Sequence, residues 1–213
     1  AVRVITKNIT EKKCVVVDGG GTALYTGFQS SFIKNNDRVI CSSAISSMGT
    51  GLAETLGAAK SRKFKKLICI IGDGSFLMNI QDLQTIYQDN IKVLILLVNN
   101  NGYLAIRHTQ KEFLKSKFYG THPDWKLTMP SFEKVVKSFG LNYFKLKKKS
   151  ELNKNLNRII NLKGPTVCEL ITDENQDSLF KQGYKTNNDG TFSPQSLSEM
   201  YPFLDKYIAN TNN

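Results

Sequence analysis

The sequence predicts a three-layer α/β/α domain around a mostly parallel sheet of about six strands. Six short runs are rich in β-branched and other apolar residues. Most of them are continuously apolar rather than alternating, as expected for strands that are covered on both faces. Helical patterns lie between these runs and the links are short, which favours parallel neighbouring strands. The predicted strands are residues 14–18, 38–42, 67–71, 93–99, 142–145 and 166–171.

Three helices are predicted from apolar residues at helical spacing. Pro130 and Gly140 bracket the second of them, and Ser150 is a predicted N-cap for the third. The three apolar faces are Phe76, Ile80, Leu83 and Tyr87; Phe132, Val135, Val136 and Phe139; and Leu152, Leu156, Ile159 and Ile160.

The whole chain, residues 1–213, is predicted to form one domain, because no internal repeat or low-complexity linker divides it. Residues 174–194 are mostly polar. We therefore expect residues 174–213 to form an extended C-terminal tail that carries a short terminal helix.

The composition is typical of a soluble globular protein, with 40% hydrophobic and 22% charged residues among 213. The formal charge of +11 would attract polyanions. However, the lysines are scattered, and the one dense run (residues 145–149) has no interleaved aromatic residues, so we interpret it as a solvated face. A basic, non-enzymatic nucleic-acid-binding domain is the alternative from another functional class.

The four cysteines have no metal-ligand spacing and lie in apolar runs, which predicts buried, reduced thiols. The first residues do not form a secretion signal, and no apolar run is long enough to span a bilayer. The sequence therefore predicts a cytoplasmic protein without a membrane segment.

The run Gly72, Asp73, Gly74, Ser75 follows a predicted strand and precedes a helix. Glycines permit close approach of a ligand to the backbone, and a helix N-terminus offers N–H groups to an anion. An aspartate in such a turn would repel a phosphate unless a cation such as Mg²⁺ lay between them. The alternative is a plain turn in which Asp73 accepts hydrogen bonds from backbone donors.

Asn100 lies at the end of the next strand, 27 residues after Asp73 (100 − 73). Because that interval accommodates one helix and one strand, the two loops are expected to be neighbours at the same edge of the sheet. The Asn100 side-chain carbonyl and the Gly102 backbone carbonyl could then join Asp73 as oxygen ligands of Mg²⁺, with phosphate oxygens and water completing an octahedron.

This pattern resembles the diphosphate-binding domain of thiamine-diphosphate-dependent enzymes, especially the acetolactate synthase and pyruvate decarboxylase branch. The resemblance implies that Asp73, Asn100 and the Gly102 carbonyl bind Mg²⁺. It also implies that Gly74 and Ser75 help to hold the diphosphate of the cofactor. Gly72 and Tyr103 belong to the same two motifs and are expected to contact the cofactor.

A second stretch, residues 46–53, is similar to the family's GxMGxGLP segment. The resemblance implies that Met48 wedges under the cofactor, that Ser46 carries the carbonyl that meets the aminopyrimidine, and that Ser47 contacts the cofactor as well. Gap-filling in the core is the alternative role of Met48.

Residues 18–22 occupy the place of the family's Gly-Gln-His run, and here the Gln and His positions are Gly21 and Thr22. Backbone N–H groups of Gly20 and Gly21 and the Thr22 hydroxyl are the candidate phosphate contacts. The resemblance continues into residues 189–192 and 200–204, so it covers nearly the whole chain.

The resemblance also implies that a glutamate from a separate pyrimidine-binding domain activates the cofactor, and that such enzymes work as dimers. None of Glu11, Glu54, Glu112 and Glu133 matches the context of that glutamate. The catalytic residue is therefore expected outside this chain. The isolated chain is expected to be inactive, with a pyrimidine-binding domain as its partner and a homo-oligomer as the complete enzyme.

The expected activity is that of a transferase or lyase acting on a 2-oxo acid by carboligation or decarboxylation. We expect the chain to be the C-terminal part of a longer synthase-like polypeptide. The alternative is a natural small subunit of a two-chain decarboxylase of sulfopyruvate or phosphonopyruvate type. Thr109 replaces a tryptophan that shapes the acceptor pocket of true acetolactate synthases, so the substrate and pathway stay open.

Three further side chains are candidates for a catalytic or substrate-binding role. His108 and His122 are candidate acid/base groups, with exposed loop histidines as the alternative. Arg107 could meet a substrate carboxylate or lie on the surface. A Mg²⁺-dependent nucleotide-binding domain of Rossmann type is a third functional class, but neither GxGxxG nor a Walker lysine is present.

Overall fold

Six parallel strands form the central sheet of the computed structural model, which describes residues 1–176, 181–197 and 199–201. In chain order they are β1 (Lys13–Val17), β2 (Arg38–Ile40), β3 (Lys66–Gly72), β4 (Val93–Asn99), β5 (Asn142–Leu146) and β6 (Thr166–Ile171). The spatial order is β2-β1-β3-β4-β6-β5, and every neighbouring pair is parallel. The predicted fold class and all six predicted strands are confirmed, with small shifts at strand ends.

Helices cover both faces of this sheet, which is why its strands are apolar throughout. In β1, for example, Cys14 and Val16 belong to one hydrophobic core, whereas Val15 and Val17 belong to the other. The described helices are α1 (Val2–Asn8), α2 (Gly21–Ser30), α3 (Thr50–Lys60), α4 (Asp73–Met78), α5 (Asp82–Gln88), α6 (Leu104–Phe113), α7 (Phe132–Ser138) and α8 (Lys149–Ile160), with a 3₁₀ turn at Pro123–Trp125.

The apolar pattern that begins at Phe76 belongs to two short helices, α4 and α5, rather than to one. Phe76 and Leu83 are fully buried in the same core and Ile80 packs against it, but Tyr87 is 50% exposed, so the predicted apolar face is correct for its first three residues only. The helix stops at Asn79, whose Nδ2 donates to the Gly49 carbonyl at 2.7 Å. Asparagine competes for hydrogen bonds with the helical backbone, and this tertiary contact therefore favours a break over continuation.

Helix α8 begins two residues earlier than expected, with Lys148 rather than Ser150 at the N-cap. The Glu151 carboxylate accepts hydrogen bonds from the backbone N–H groups of Lys147 at 2.6 Å and Lys148 at 3.2 Å. A carboxylate in the first turn also interacts favourably with the helix dipole. Ser150 therefore lies inside the helix instead of capping it.

All four cysteines are free. Burial raises the pKa of the Cys14 thiol to about 11 and that of Cys168 to about 12. These thiols are protonated at neutral pH and behave as small apolar core groups.

Contacts divide the chain into two compact units, Ala1–Asn175 and Gln176–Asn213. In the second unit, β7 (Lys181–Gln182) pairs antiparallel with β10 (Met200–Tyr201), and β8 (Tyr184–Thr186) pairs antiparallel with β9 (Phe192–Pro194). The terminal helix that the sequence predicts after residue 194 falls mostly on residues 202–213, which lie outside the described residues. Within the described parts of the chain, every helix is too short or too polar to cross a membrane.

Candidate functional site

Three loops meet at the carboxyl ends of β1, β3 and β4, which are adjacent in the sheet. They are residues 18–22, 72–75 and 99–102, the loops that the sequence singled out. The carboxyl edge of a parallel sheet is the usual ligand-binding edge, because loops and helix N-termini converge there. The predicted proximity of the Asp73 and Asn100 loops is therefore present in the structure.

These loops surround an open cavity of about 330 Å³. Eleven of the thirteen residues that the sequence suggested for cofactor binding line it; Ser46 and Ser47 do not. The start of α6 adds three residues that sequence reasoning missed. The lining residues are Gly20, Gly21, Thr22, Met48, Gly72, Asp73, Gly74, Ser75, Asn100, Gly102, Tyr103, Leu104, Ala105 and Ile106.

Asp73 ties two of the loops together. Its Oδ2 accepts hydrogen bonds from the backbone N–H groups of Asn100 at 3.1 Å and Gly102 at 2.8 Å, and its Oδ1 accepts from Gly74 at 2.8 Å. The side chain is 3% exposed. Burial raises the pKa of Asp73, although the three N–H groups and nearby Arg107 act in the opposite direction. A carboxylate that is disfavoured by burial is stabilised by a neighbouring cation.

Asn100, on the neighbouring loop, lines the same cavity and has a buried side-chain oxygen. Its Nδ2 donates to the Thr22 hydroxyl at 3.2 Å, whereas its Oδ1 is buried and accepts no hydrogen bond from any described group. A buried acceptor without a donor is costly, so such an atom in a native structure calls for an explanation. A cation bound between the two loops would supply the missing partner.

The donor set at this point suits a hard cation of the Mg²⁺ kind. It combines one carboxylate with amide and backbone carbonyl oxygens, which is the oxygen-only chemistry that Mg²⁺ prefers. The Gly102 carbonyl accepts from the Leu104 N–H at 2.7 Å and retains a second lone pair. Among the described residues there is no cluster of three or more His, Cys, Asp or Glu.

Two glycines keep the cavity open. A Cβ at Gly74 would lie 2.3 Å from Cε1 of Tyr103, and a Cβ at Gly20 would lie 2.3 Å from Cγ of Met48. Both distances are far below van der Waals contact, so a side chain at either position would force its neighbour to move. The glycines of the two motifs are therefore required by close packing around the site.

The segment before Met48 is more exposed than the three loops that surround the cavity. Residues 42–47 are exposed, and Ser46 has a positive φ of 52°. The Ser46 hydroxyl donates to the Ser43 carbonyl at 3.1 Å. Met48 itself lines the cavity, as expected for a side chain under a ligand.

The other candidate side chains lie outside the cavity lining. His108 is half-buried on α6, and His122 caps the 3₁₀ turn, with its Nδ1 accepting from the Asp124 N–H at 3.3 Å. Arg107 is 4% exposed, so it is not a surface residue. Its guanidinium donates to backbone carbonyls instead of facing the cavity.

A cavity lined by loops and helix N-termini at the carboxyl edge of a parallel sheet is typical of a cofactor-binding α/β domain. The chain belongs to the thiamine pyrophosphate enzyme family, as a C-terminal TPP binding domain; the family pattern matches residues 18–170, which include all three loops. Thiamine pyrophosphate is thiamine diphosphate, so the family resemblance read from the motifs is confirmed.

Similar proteins include several acetolactate synthases. The large subunit from Cyanidium caldarium is 29% identical over 170 residues, covering 78% of this chain and 28% of that protein. The isozyme 2 large subunit from Escherichia coli K12 is 28% identical over 174 residues, covering 80% of this chain and 31% of that protein. This chain therefore spans about a third or less of the length of these relatives.

A solved structure shows the same fold. The thiamine diphosphate-dependent 4-hydroxybenzoylformate decarboxylase of Rhodococcus jostii RHA1 matches with a TM-score of 0.67 at 20% sequence identity. The match covers 81% of this chain and 31% of that one. At this level of identity the likeness concerns the fold alone.

Proposed function

We propose that this chain is the diphosphate-binding half of an enzyme acting on 2-oxo acids, and that it holds thiamine diphosphate through Mg²⁺. Asp73, Asn100 and the Gly102 carbonyl would bind the metal. The Thr22 and Ser75 hydroxyls and the N–H groups at the start of α2 would meet phosphate oxygens. When bound, thiamine diphosphate supplies a nucleophilic carbon and an electron sink for a 2-oxo acid.

The observation that carries this proposal is the unpartnered Oδ1 of Asn100, a residue whose backbone N–H donates to the buried Asp73 carboxylate. These two groups come from different loops and lie in the same cavity. Asp73 is hydrogen-bonded to three backbone N–H groups, whereas Asn100 Oδ1 has no donor, and a buried acceptor without a donor destabilises the native state.

The charge of the cavity supports the same conclusion. None of the described residues that line it is Lys, Arg or His, although the chain has a net charge of +11. A diphosphate placed beside Asp73 would meet a negative charge and no cationic side chain. A divalent cation between them removes this conflict, and bridging to phosphate is the typical use of Mg²⁺ in proteins.

We also propose that the described cavity is only part of the catalytic site. Asp73 is the one carboxylate among its lining residues, and its oxygens are engaged by three backbone N–H groups. We therefore propose that the activating glutamate comes from a pyrimidine-binding domain, in the same or a second polypeptide, and that the complete enzyme is a homo-oligomer in the cytoplasm. Transferase and lyase chemistry both fit this arrangement, as does the two-chain decarboxylase alternative.

Thermal unfolding tests the binding proposal. The midpoint is measured with and without Mg²⁺ and thiamine diphosphate, for the chain alone and together with a pyrimidine-binding domain. A ligand at a hundredfold excess over Kd stabilises the native state by about 2.7 kcal/mol. We expect an upward shift that needs Mg²⁺ and that Asp73→Ala abolishes.

The ligand-induced shift is the relevant quantity, because Asp73→Ala also lowers the midpoint of the free chain by leaving backbone donors unpaired. If the shift is absent in the complex with the pyrimidine-binding domain, the proposed function is wrong. Turnover of a 2-oxo acid by the pure, isolated chain would contradict the proposed division of the catalytic site.

A further inference from the structure

Arg107 is a buried cation whose hydrogen bonds all go to backbone carbonyls of three separate segments. Nη2 donates to Asn100 O and Glu174 O, each at 2.9 Å. Nη1 donates to Thr121 O at 2.9 Å and to Asn101 O at 3.4 Å. The guanidinium therefore joins the metal-binding loop, the turn after α6 and the segment after β6.

Two carboxylates also hold the loop formed by residues 99–102. Asp73 accepts from the N–H of Asn100, while Arg107 donates to the carbonyl of the same residue. Asn101 has a positive φ of 59°, and its Nδ2 donates to the Glu174 carboxylate at 2.9 Å. A non-glycine residue in the left-handed region persists only where its surroundings fix it, as they do here.

The loop is anchored at its base as well. Glu169, on β6, is 2% exposed, and its Oε1 accepts from Asn99 Nδ2 at 2.5 Å. Because a carboxylate is an acceptor only, it fixes the orientation of the Asn99 amide. The Asn99 Oδ1 then accepts from the N–H of Asn101 at 2.8 Å. With these contacts made, Asn100 Oδ1 is the buried side-chain oxygen of the loop that is left without a donor.

We propose that Arg107 is a positioning residue for the metal-binding loop and does not bind the substrate carboxylate. By holding the carbonyls of Asn100 and Asn101, it fixes the loop in the conformation that presents Asn100 Oδ1 toward the Asp73 side of the cavity. This inference rests on the proposed function, since the loop is assigned there to Mg²⁺.

An arginine is required for this role by its geometry. Four acceptors from three segments are served by one planar fork of fixed donors. A lysine at position 107 has a single nitrogen with three donors and cannot reach all of these carbonyls at once. We therefore expect Arg107→Lys to keep part of the loop positioning. Arg107→Met keeps none of these hydrogen bonds.

The test compares metal affinity with folding stability in the complex of this chain with its pyrimidine-binding domain. Mn²⁺ is titrated at saturating thiamine diphosphate and its free concentration is followed by electron paramagnetic resonance. Groups that support metal ligands typically contribute tenfold to a hundredfold to metal affinity. We expect Arg107→Met to weaken Mn²⁺ binding at least tenfold, and Arg107→Lys to give an intermediate loss.

Lys13→Met is the matched control. Lys13 is another fully buried cation, and its Nζ pairs with the Asp37 carboxylate at 2.5 Å, outside the residues that line the cavity. The control is expected to lower the unfolding midpoint but to leave Mn²⁺ affinity within about twofold of wild type, because it lies outside the loop network. A similar loss of affinity in this control would show that general destabilisation is the cause and would overturn the inference.

The same variants separate positioning from substrate binding. If Arg107→Lys leaves Mn²⁺ affinity unchanged and raises the KM for a 2-oxo acid, Arg107 binds substrate and the inference is wrong. If Arg107→Met does not fold, Mn²⁺ affinity is compared between wild type and Arg107→Lys alone. If the wild-type complex binds neither Mn²⁺ nor the cofactor, the proposed function itself fails, and the inference fails with it.

Discussion

Replacing Asn100 by alanine should separate metal binding from folding more cleanly than any change at Asp73. In the structure the Asn100 side chain makes one hydrogen bond, from Nδ2 to the Thr22 hydroxyl at 3.2 Å, and its Oδ1 makes none. Losing the hydrogen bond costs about 0.5–1.5 kcal/mol, while removing an unsatisfied buried acceptor recovers about 1–3 kcal/mol. The midpoints of these two ranges differ by about 1 kcal/mol, so the two effects partly offset each other in the ligand-free chain.

The expected change in unfolding free energy is therefore within about 1 kcal/mol, which corresponds to a midpoint shift of about 2–4 °C for a chain of this size. Ligand at a hundredfold excess over Kd contributes about 2.7 kcal/mol, or about 5–11 °C. We predict that wild type shows this larger shift with Mg²⁺ and thiamine diphosphate, and that Asn100→Ala shows none of it.

The assay is differential scanning fluorimetry of the complex with the pyrimidine-binding domain, repeated with a chelator in place of Mg²⁺. Asn155→Ala is the control, because Asn155 lies on α8, away from the cavity lining, and its Nδ2 donates to the Glu151 carbonyl at 2.8 Å. A full Mg²⁺-dependent shift in Asn100→Ala would refute the assignment of its Oδ1 to the metal. A collapse of the ligand-free midpoint would refute the stability argument.

Two further predictions concern close packing and charge. Gly74→Ala would place a Cβ 2.3 Å from Cε1 of Tyr103, and we expect a destabilisation of about 1–3 kcal/mol with weaker cofactor binding; unchanged affinity in calorimetric titration would contradict this. Burial alone would raise the pKa of Asp37, but hydrogen bonds from Lys13 and the Lys34 amide lower it overall. Asp37→Asn should cost about 3–5 kcal/mol at pH 7, because it leaves the buried Lys13 without its carboxylate partner. The part of this wild-type advantage that comes from the lowered pKa is fully present above the ordinary Asp value of 3.8 and is lost as the pH falls through the lower folded-state value. Urea unfolding across that range checks the sign, and an advantage that grows at low pH would show it to be wrong.

Local patterns in the sequence were sufficient to predict the sheet and the positions of the loops. A continuous run such as residues 93–99 indicates a doubly covered strand, because both of its faces must be apolar. The interval between Asp73 and Asn100 accommodates one helix and one strand, and right-handed parallel connection then brings both strand ends to one edge. The structure confirms this proximity through the hydrogen bond from the Asn100 N–H to Asp73.

Contacts between distant residues were not predictable in the same way. Arg107 could be assigned to substrate or surface from its position alone, yet its partners include Thr121 and Glu174, which are 14 and 67 residues away in the chain. The break between α4 and α5 depends on the Asn79 amide meeting the Gly49 carbonyl. Helical periodicity carries no information about such tertiary contacts, so the apolar face was predicted and the interruption was not.

The residues at the start of α6 belong to the site itself, and they were not predictable from the sequence either. Leu104, Ala105 and Ile106 follow the NNxG motif directly and line the cavity. Their small and apolar side chains carry no chemical signal that a sequence pattern could single out. The exposed positions of Ser46 and Ser47 were also not predictable, because the segment around Met48 resembles one in which both residues are expected to contact the cofactor.

The most direct test of the central claim is anomalous diffraction at the manganese edge. Crystals of this chain with its pyrimidine-binding domain would be grown with Mn²⁺ and thiamine diphosphate. We expect one strong anomalous peak within about 2.3 Å of an Asp73 carboxylate oxygen and of Asn100 Oδ1, bridging to the diphosphate. A diphosphate in the cavity without a metal peak there, or a peak at other residues, would contradict it.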